Sequence, residues 1–209
     1  MHLVDGALTT PVIVTATVLA AGGVALGLKR LEPERLPQAA LLSAAFFVAS
    51  LIHVPVGPAS VHLVLSGLMG VLLGWTAFPV ILVALLLQAV FFGYGGITVL
   101  GVNTLNMALP AVLCGFLFRP LLARAGARPA ALLGALAGAL AIALDAALTG
   151  LSLSLSGREY VVAAQLIMTA HIPVMVVEAL LTAAAVGLVH RVRPELLTAP
   201  RLNTGELGA

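Results

Sequence analysis

Along the 209 residues, long apolar runs are cut by short charged or proline- and glycine-rich breaks. Their lengths and spacing predict about seven helices, over 11–28, 38–54, 60–75, 77–92, 98–118, 129–150 and 160–190. Several are short for a hydrocarbon core of ~30 Å, which a lone helix crosses with ~20 residues. The tightest boundary is Gly74-Trp75-Thr76-Ala77-Phe78-Pro79. It reads as a turn between two helices, with Pro79 near the start of the second.

Composition settles what solvates these runs. Hydrophobic residues make up 61% of the chain and charged residues 9%, and the mean hydropathy is +1.17. A soluble domain of this length cannot hide that much apolar surface, so the expected fold is an all-α integral membrane protein. The net charge of +2 is small and the basic residues are scattered, so no nucleic-acid footprint is expected. No Lys or Arg precedes residue 29, so the first run lacks the basic start of a signal peptide and reads as an uncleaved span.

Seven spans with the N-terminus outside put Lys29, Arg30, Arg35, Arg119, Arg124, Arg128, Arg191, Arg193 and Arg201 on the inner side. Only Arg158 falls outside. That asymmetry is the positive-inside pattern, and it puts the C-terminus inside. The expected organisation is one membrane domain over 1–190 and a cytoplasmic tail over 191–209.

Polar groups inside spans are costly and mark candidate sites. Here they are His53, His62, Asp145, His171 and Glu178. The proposed topology puts His2, His53 and His62 at one outer face, joined by the stiff connector Val54-Pro55-Val56-Gly57-Pro58-Ala59-Ser60-Val61. Asp145 falls near an outer helix end, where hydration suffices; Glu178 is expected to pair locally or stay neutral. His171 is expected to hydrogen-bond within the bundle. The lone Cys114 excludes an internal disulfide and a cysteine-cluster metal site.

Met1-His2 carries specific chemistry. A terminal amine, the His2 amide nitrogen and His2 Nδ1 chelate one metal through a five- and a six-membered ring. With the amide deprotonated these nitrogens favour a plane, which suits Ni²⁺ or Cu²⁺. One further imidazole completes a square, with His62 the first choice and His53 the second. Such binding displaces protons, so affinity falls in acid. A histidine at position 2 is also an ordinary feature of a chain terminus, and termini are commonly disordered. Gly93, Gly95 and Gly96 mark an outer turn that packs inward. Gln88, Asn103 and Asn106 are placed to hydrogen-bond across helices or around ligands. Gly70/Gly74, Gly134/Gly138, Ala40/Ala44 and Ala45/Ala49 are small-residue pairs for close helix packing or for docking a partner.

Several of these segments together resemble a known family. They are Met1-His2…Asp5-Gly6, the run Ile52-His53-Val54-Pro55-Val56-Gly57-Pro58-Ala59-Ser60-Val61-His62-Leu63, and Ala77-Phe78-Pro79. Gln88, Phe91-Phe92-Gly93-Tyr94-Gly95-Gly96 and Leu100-Gly101-Val102-Asn103-Thr104-Leu105-Asn106-Met107 continue the match. They resemble the membrane substrate-binding subunits of energy-coupling-factor importers for cobalt and nickel, the CbiM/NikM type. The likeness is close over about 1–118 and rests on hydrophobic layout beyond that.

The resemblance implies a seven-helix fold with the segment 1–10 inserted into the bundle from outside. It implies metal held by the Met1 amine, the His2 amide and imidazole, and the His62 imidazole. Asp5, Ser60, Gln88, Asn103 and Asn106 stand around these ligands, and Ala40, Ala44, Ala45 and Ala49 form the partner-docking surface. Nickel(II) or cobalt(II) is then the cargo, and no organic cofactor is expected. The implied partners are a membrane coupling (T) subunit, two ATPase subunits and a small accessory membrane subunit, in a prokaryotic plasma membrane. The chain is read as a transport subunit, not an enzyme. The rival classes are a proton-coupled secondary transporter, which needs intramembrane carboxylates, and an intramembrane metalloenzyme, for which no catalytic set is evident.

Overall fold

The structure, a computed structural model, describes residues 2–56 and 58–197. Met1, Gly57 and 198–209 lie outside the described residues, so the expected ligand Met1, the inner-side Arg201 and most of the expected tail do too.

Seven α-helices occur among the described residues: α1 (Thr10–Lys29), α2 (Leu36–Ala49), α3 (Ser66–Leu73), α4 (Ala77–Phe92), α5 (Leu100–Leu122), α6 (Ala127–Ser156) and α7 (Val161–Val192). Five segments are long and apolar enough to cross a membrane: Thr10–Lys29, Ser66–Phe92, Leu100–Leu122, Ala127–Ser156 and Arg158–Val192. The turn read at 74–79 divides the second of these. Gly74 takes φ 59° and ψ −126°, a conformation only glycine adopts freely, and a 3-10 turn over Gly74–Thr76 leads into α4 with Pro79 in its first turn.

The distribution of polarity is inside-out for water. On α7, Val162, Leu166, Ile172, Val176 and Leu180 face outward while His171, Glu178 and Thr182 are buried. An exposed apolar girdle this extensive, around a core that also buries ionisable groups, is stable only in lipid. Small residues let the helices close on one another. A Cβ at Gly70 would run into the Ala111 backbone on α5, and one at Gly138 into the Glu178 backbone on α7. Gly70 of the first glycine pair and both members of the second therefore serve internal packing. At one end of the bundle Lys29, Arg30, Arg35 and Arg119 surround a cavity of about 550 Å³, with the Arg30 guanidinium over the Trp75 ring at 5.7 Å. These four are among the nine basic residues that the span reading placed on one side of the bundle.

The second and third helices differ from expectation. The sequence suggests helix over 38–54 and 60–75, but α2 stops at Ala49 and α3 begins at Ser66. Between them lie β2 (His53–Val56) and β3 (Ala59–His62), and β1 (His2–Leu3) completes a sheet of order β1-β3-β2, antiparallel throughout. Pro55 and Pro58 oppose a continuing helix, and Val54 and Val56 favour extended backbone. The ladder supplies the main-chain hydrogen bonds that a non-helical segment needs at this depth. A short apolar run does not announce whether it is strand or helix, and here the local β2–β3 hairpin forms with β1 as a third strand. Asp145 is a second correction. It is 0% exposed, because α6 continues past residue 150 to Ser156 and carries Asp145 into the bundle, where it has an interaction partner.

Candidate metal centre

Sheet register assembles the histidines. His2 pairs with Ser60, and His53 with His62. Ser60 and His62 are two residues apart on β3 and so share a face, which puts His2, His53 and His62 on that same face. The His2 and His62 rings meet with centroids 4.4 Å apart, and both residues are only 2% exposed. β1 and β3 lie outside the membrane-spanning helices, and burial pushes the pKa of both imidazoles well below the ordinary histidine value. Both are therefore neutral near pH 7, the form that binds a cation.

Hydrogen bonding fixes which nitrogens are available. His62 Nδ1 lies 2.8 Å from the Leu63 carbonyl oxygen. A carbonyl only accepts, so Nδ1 carries the proton and Nε2 holds the lone pair. His62 Nε2 is buried with no hydrogen-bond partner, and the equally buried His2 ring has the Gln88 side chain beside it as its polar neighbour. Leaving a buried polar group unsatisfied costs about 1–3 kcal/mol, so an open nitrogen on one of two touching rings calls for a ligand. His53 stands differently. Its ring is half-buried, edge-on to Tyr94 at 4.3 Å, and its Nδ1 donates to the Leu51 carbonyl at 3.2 Å. Among the described residues no group of three or more His, Cys, Asp or Glu side chains assembles for a metal.

The N-terminal strand is held from several sides. Asn103 on α5 accepts from the Leu3 N–H at 2.9 Å and donates to the Leu3 carbonyl at 3.1 Å. This side chain imitates a neighbouring strand. The Asp5 N–H donates to Gly95 O at 3.1 Å, and the Thr98 hydroxyl donates to the Asp5 carboxylate. Gly95 and Gly96, at φ 77° and 135°, press against this segment; a Cβ at Gly96 would overlap the Asp5 carboxylate. Gln88 donates to Phe47 O at 3.2 Å and to the Ser50 hydroxyl, and its side chain also interacts with the His2 ring. Asn106 reaches away from the histidines, donating to Thr149 and Ser152 on α6 at 3.3 and 3.4 Å. On α2, Ala40 and Ala44 lie on the exposed face and Ala45 and Ala49 are half-buried.

Two features went beyond the sequence reading. Thr98, which latches Asp5, carries no distinguishing pattern. Glu178 was visible as a charge in an apolar helix, but its partners, the backbone N–H groups of Val64 and Leu65, lie more than a hundred residues away. His171 Nδ1 bonds to Ile167 O at 2.6 Å within α7, as expected of a bundle histidine.

Comparison with known proteins agrees with this picture. Residues 2–196 match the CbiM family, described as the cobalt uptake substrate-specific transmembrane region. A Haemophilus influenzae protein named for metal transport is 45% identical over 199 residues, spanning 94% of this chain and 97% of that one. The fused nickel transport protein NikMN of Rhodobacter capsulatus is 42% identical over 118 residues, 52% of this chain and 33% of that one. A crystal structure of a transition metal transporter superposes with a TM-score of 0.79 at 25% identity, covering 92% of this chain and 93% of that one. Matched to the family over residues 2–196, this multi-pass membrane chain belongs to the CbiM family of metal-uptake proteins, a transport component and not an enzyme.

Proposed function

We propose that this chain is the metal-capturing subunit of an ATP-driven energy-coupling-factor importer, taking Ni²⁺ or Co²⁺ from outside and delivering it to the cytoplasm. The observation that carries this is the pair of buried imidazoles, His2 and His62, in ring contact with His62 Nε2 unpartnered. The ligands are the Met1 amine, the His2 amide and Nδ1, and His62 Nε2. Four nitrogens in a plane favour Ni²⁺ over Co²⁺, with Cu²⁺ the competitor by intrinsic affinity. His53 lines the site beside Tyr94, and Asp5, Ser60, Gln88 and Asn103 hold its walls. The site end faces outside and the basic end faces the cytoplasm, by the positive-inside pattern. A coupling subunit docks along α2 at Ala40, Ala44, Ala45 and Ala49. Two ATPase subunits and a small accessory membrane subunit complete the importer, and relatives carrying a fused segment, such as NikMN, support an accessory partner.

The test is uptake of radioactive Ni²⁺ by cells producing this chain with its coupling and ATPase subunits. Uptake is expected to stop when the ATPase phosphate-binding lysine is replaced. Ni²⁺ uptake by vesicles holding this chain alone, without ATP, would overturn the reading in favour of proton-coupled transport.

The seating of the N-terminal segment gives a second measurement. Gly96→Ala places a Cβ into the Asp5 carboxylate at a backbone φ of 135°. It is expected to displace His2 and weaken Ni²⁺ binding by about 10–100-fold, the range for lost support around a metal ligand. Gly22→Ala, where a Cβ meets open space, serves as the control in titration calorimetry and should bind like wild type.

A further inference from the structure

Glu178 is a fully buried carboxylate on α7 whose side chain leaves its own helix to reach the segment just after β3. Its Oε1 accepts from the backbone N–H of Val64 and, at 2.7 Å, from that of Leu65. These are the residues immediately before α3. Leu65 is the helix's N-terminal cap and has no side-chain cap of its own. It sits at φ 56°, the one non-glycine residue with positive φ among those described. A carboxylate at a helix start is favourable, but the position of this one has a further consequence.

The N–H of Val64 and the C=O of Leu63 belong to one peptide group. That carbonyl is the group that accepts His62 Nδ1–H at 2.8 Å. The order of contacts is therefore carboxylate, peptide N–H, peptide C=O, imidazole Nδ1–H, and at the far side of the ring the unpartnered Nε2. Hydrogen bonds in a chain polarise one another, and a ligating imidazole gains basicity and a fixed orientation from the acceptor behind it.

We infer that Glu178 is a positioning residue for His62, acting through the Leu63–Val64 peptide to hold the ring's tautomer, orient Nε2 and strengthen it as a donor to the cation. This rests on the proposed function only in taking His62 Nε2 as a ligand. The carboxylate–histidine–metal arrangement is familiar with the acid in direct contact with the ring. Here a peptide group stands between them, so the acid resides on a different helix from the strand that carries the ligand. α7 thereby senses, and is sensed by, the metal-binding strand.

The test uses the purified full chain with Ni²⁺ alone as probe, read by calorimetry and by the visible ligand-field bands of the loaded protein. Glu178→Gln keeps the shape and replaces the carboxyl group with an amide. It is expected to weaken binding by about tenfold, with Glu178→Ala losing more, and to move the bands to lower energy as His62 becomes a poorer donor. Val186→Ala loosens the packing of α7 on α6 without touching the peptide and is expected to leave affinity and bands as in wild type. Unchanged affinity and bands in Glu178→Gln would overturn the inference. So would a loss matched by Val186→Ala with the bands unmoved, because Glu178 would then serve only to pack the helix. Wild-type binding in His62→Ala is a different failure, since it removes His62 from the site and with it the proposed function's ligand set.

Discussion

Replacing His62 with alanine is expected to weaken Ni²⁺ binding by more than about a hundredfold, beyond what the loss of an outer partner of a ligand costs. His62 is the one imidazole brought to ring contact with His2, and its Nε2 is the buried lone pair aimed from a second part of the chain. Without it the proposed ligand set keeps three nitrogens from the chain end alone, and a fourth must come from water beside residues that are almost fully buried. The neighbouring His53→Ala sets the scale. Its ring is half-buried against Tyr94 with Nδ1 engaged by Leu51, and its loss is expected to cost less than about tenfold. Titration calorimetry on both variants decides the matter. Equal losses, or undiminished binding in His62→Ala, would remove His62 from the site. Thermal melting monitors the fold alongside, because a buried side chain is being truncated.

Residues added ahead of Met1 are expected to have an effect of similar size. An added peptide bond converts the amine from a basic donor into an amide and breaks the five-membered ring of the chelate. It also crowds the site sterically. His2 is 2% exposed and Leu3 is pinned at both its N–H and its C=O by Asn103, so β1 has little freedom to slide and make room. Nickel content measured on protein purified by an N-terminal and by a C-terminal tag should differ by more than about a hundredfold in affinity terms. Equal nickel content under limiting metal would rule out the amine as a ligand. Because these two variants act at sites sixty residues apart in sequence, similar losses from both would show that the two parts of the chain serve one cation.

Much of the fold was legible because a bilayer demands simple things of a sequence. The runs at 11–28, 77–92 and 98–118 match α1, α4 and α5 within a few residues, and Gly74 and Pro79 mark the turn where positive φ and a proline near a helix start require them. The clustering of basic residues is a property of composition, and it survives into the structure as the cavity around Arg30 and Arg119. What could not be read was anything decided by pairing. The residues 50–65 are apolar enough for helix, but 53–56 and 59–62 pair locally as a hairpin, and β1 adds a third strand to it. Asp145 looked solvated because its helix was judged too short. Glu178 was expected to pair locally or stay neutral, and its partners are instead main-chain N–H groups far along the chain, which have no sequence signature. The two histidines were legible for a chemical reason, since few residue types bind metal in a chain with one cysteine. Their juxtaposition was expected from the span reading, but the strand register that brings the rings into contact was not legible.

That register sets His2 against Ser60 and brings the chain start back onto residue 62. A cation gripped by both would close the polypeptide into a ring of about sixty residues that contains all of α1 and α2. Cross-links of such length act mainly by removing freedom from the open form, by roughly 4 kcal/mol in a simple chain-entropy account. A bound ion would thus work as a reversible staple, locking together the two helices that the ring encloses. Any neighbour that prefers those helices locked would distinguish loaded from empty protein without touching the ion.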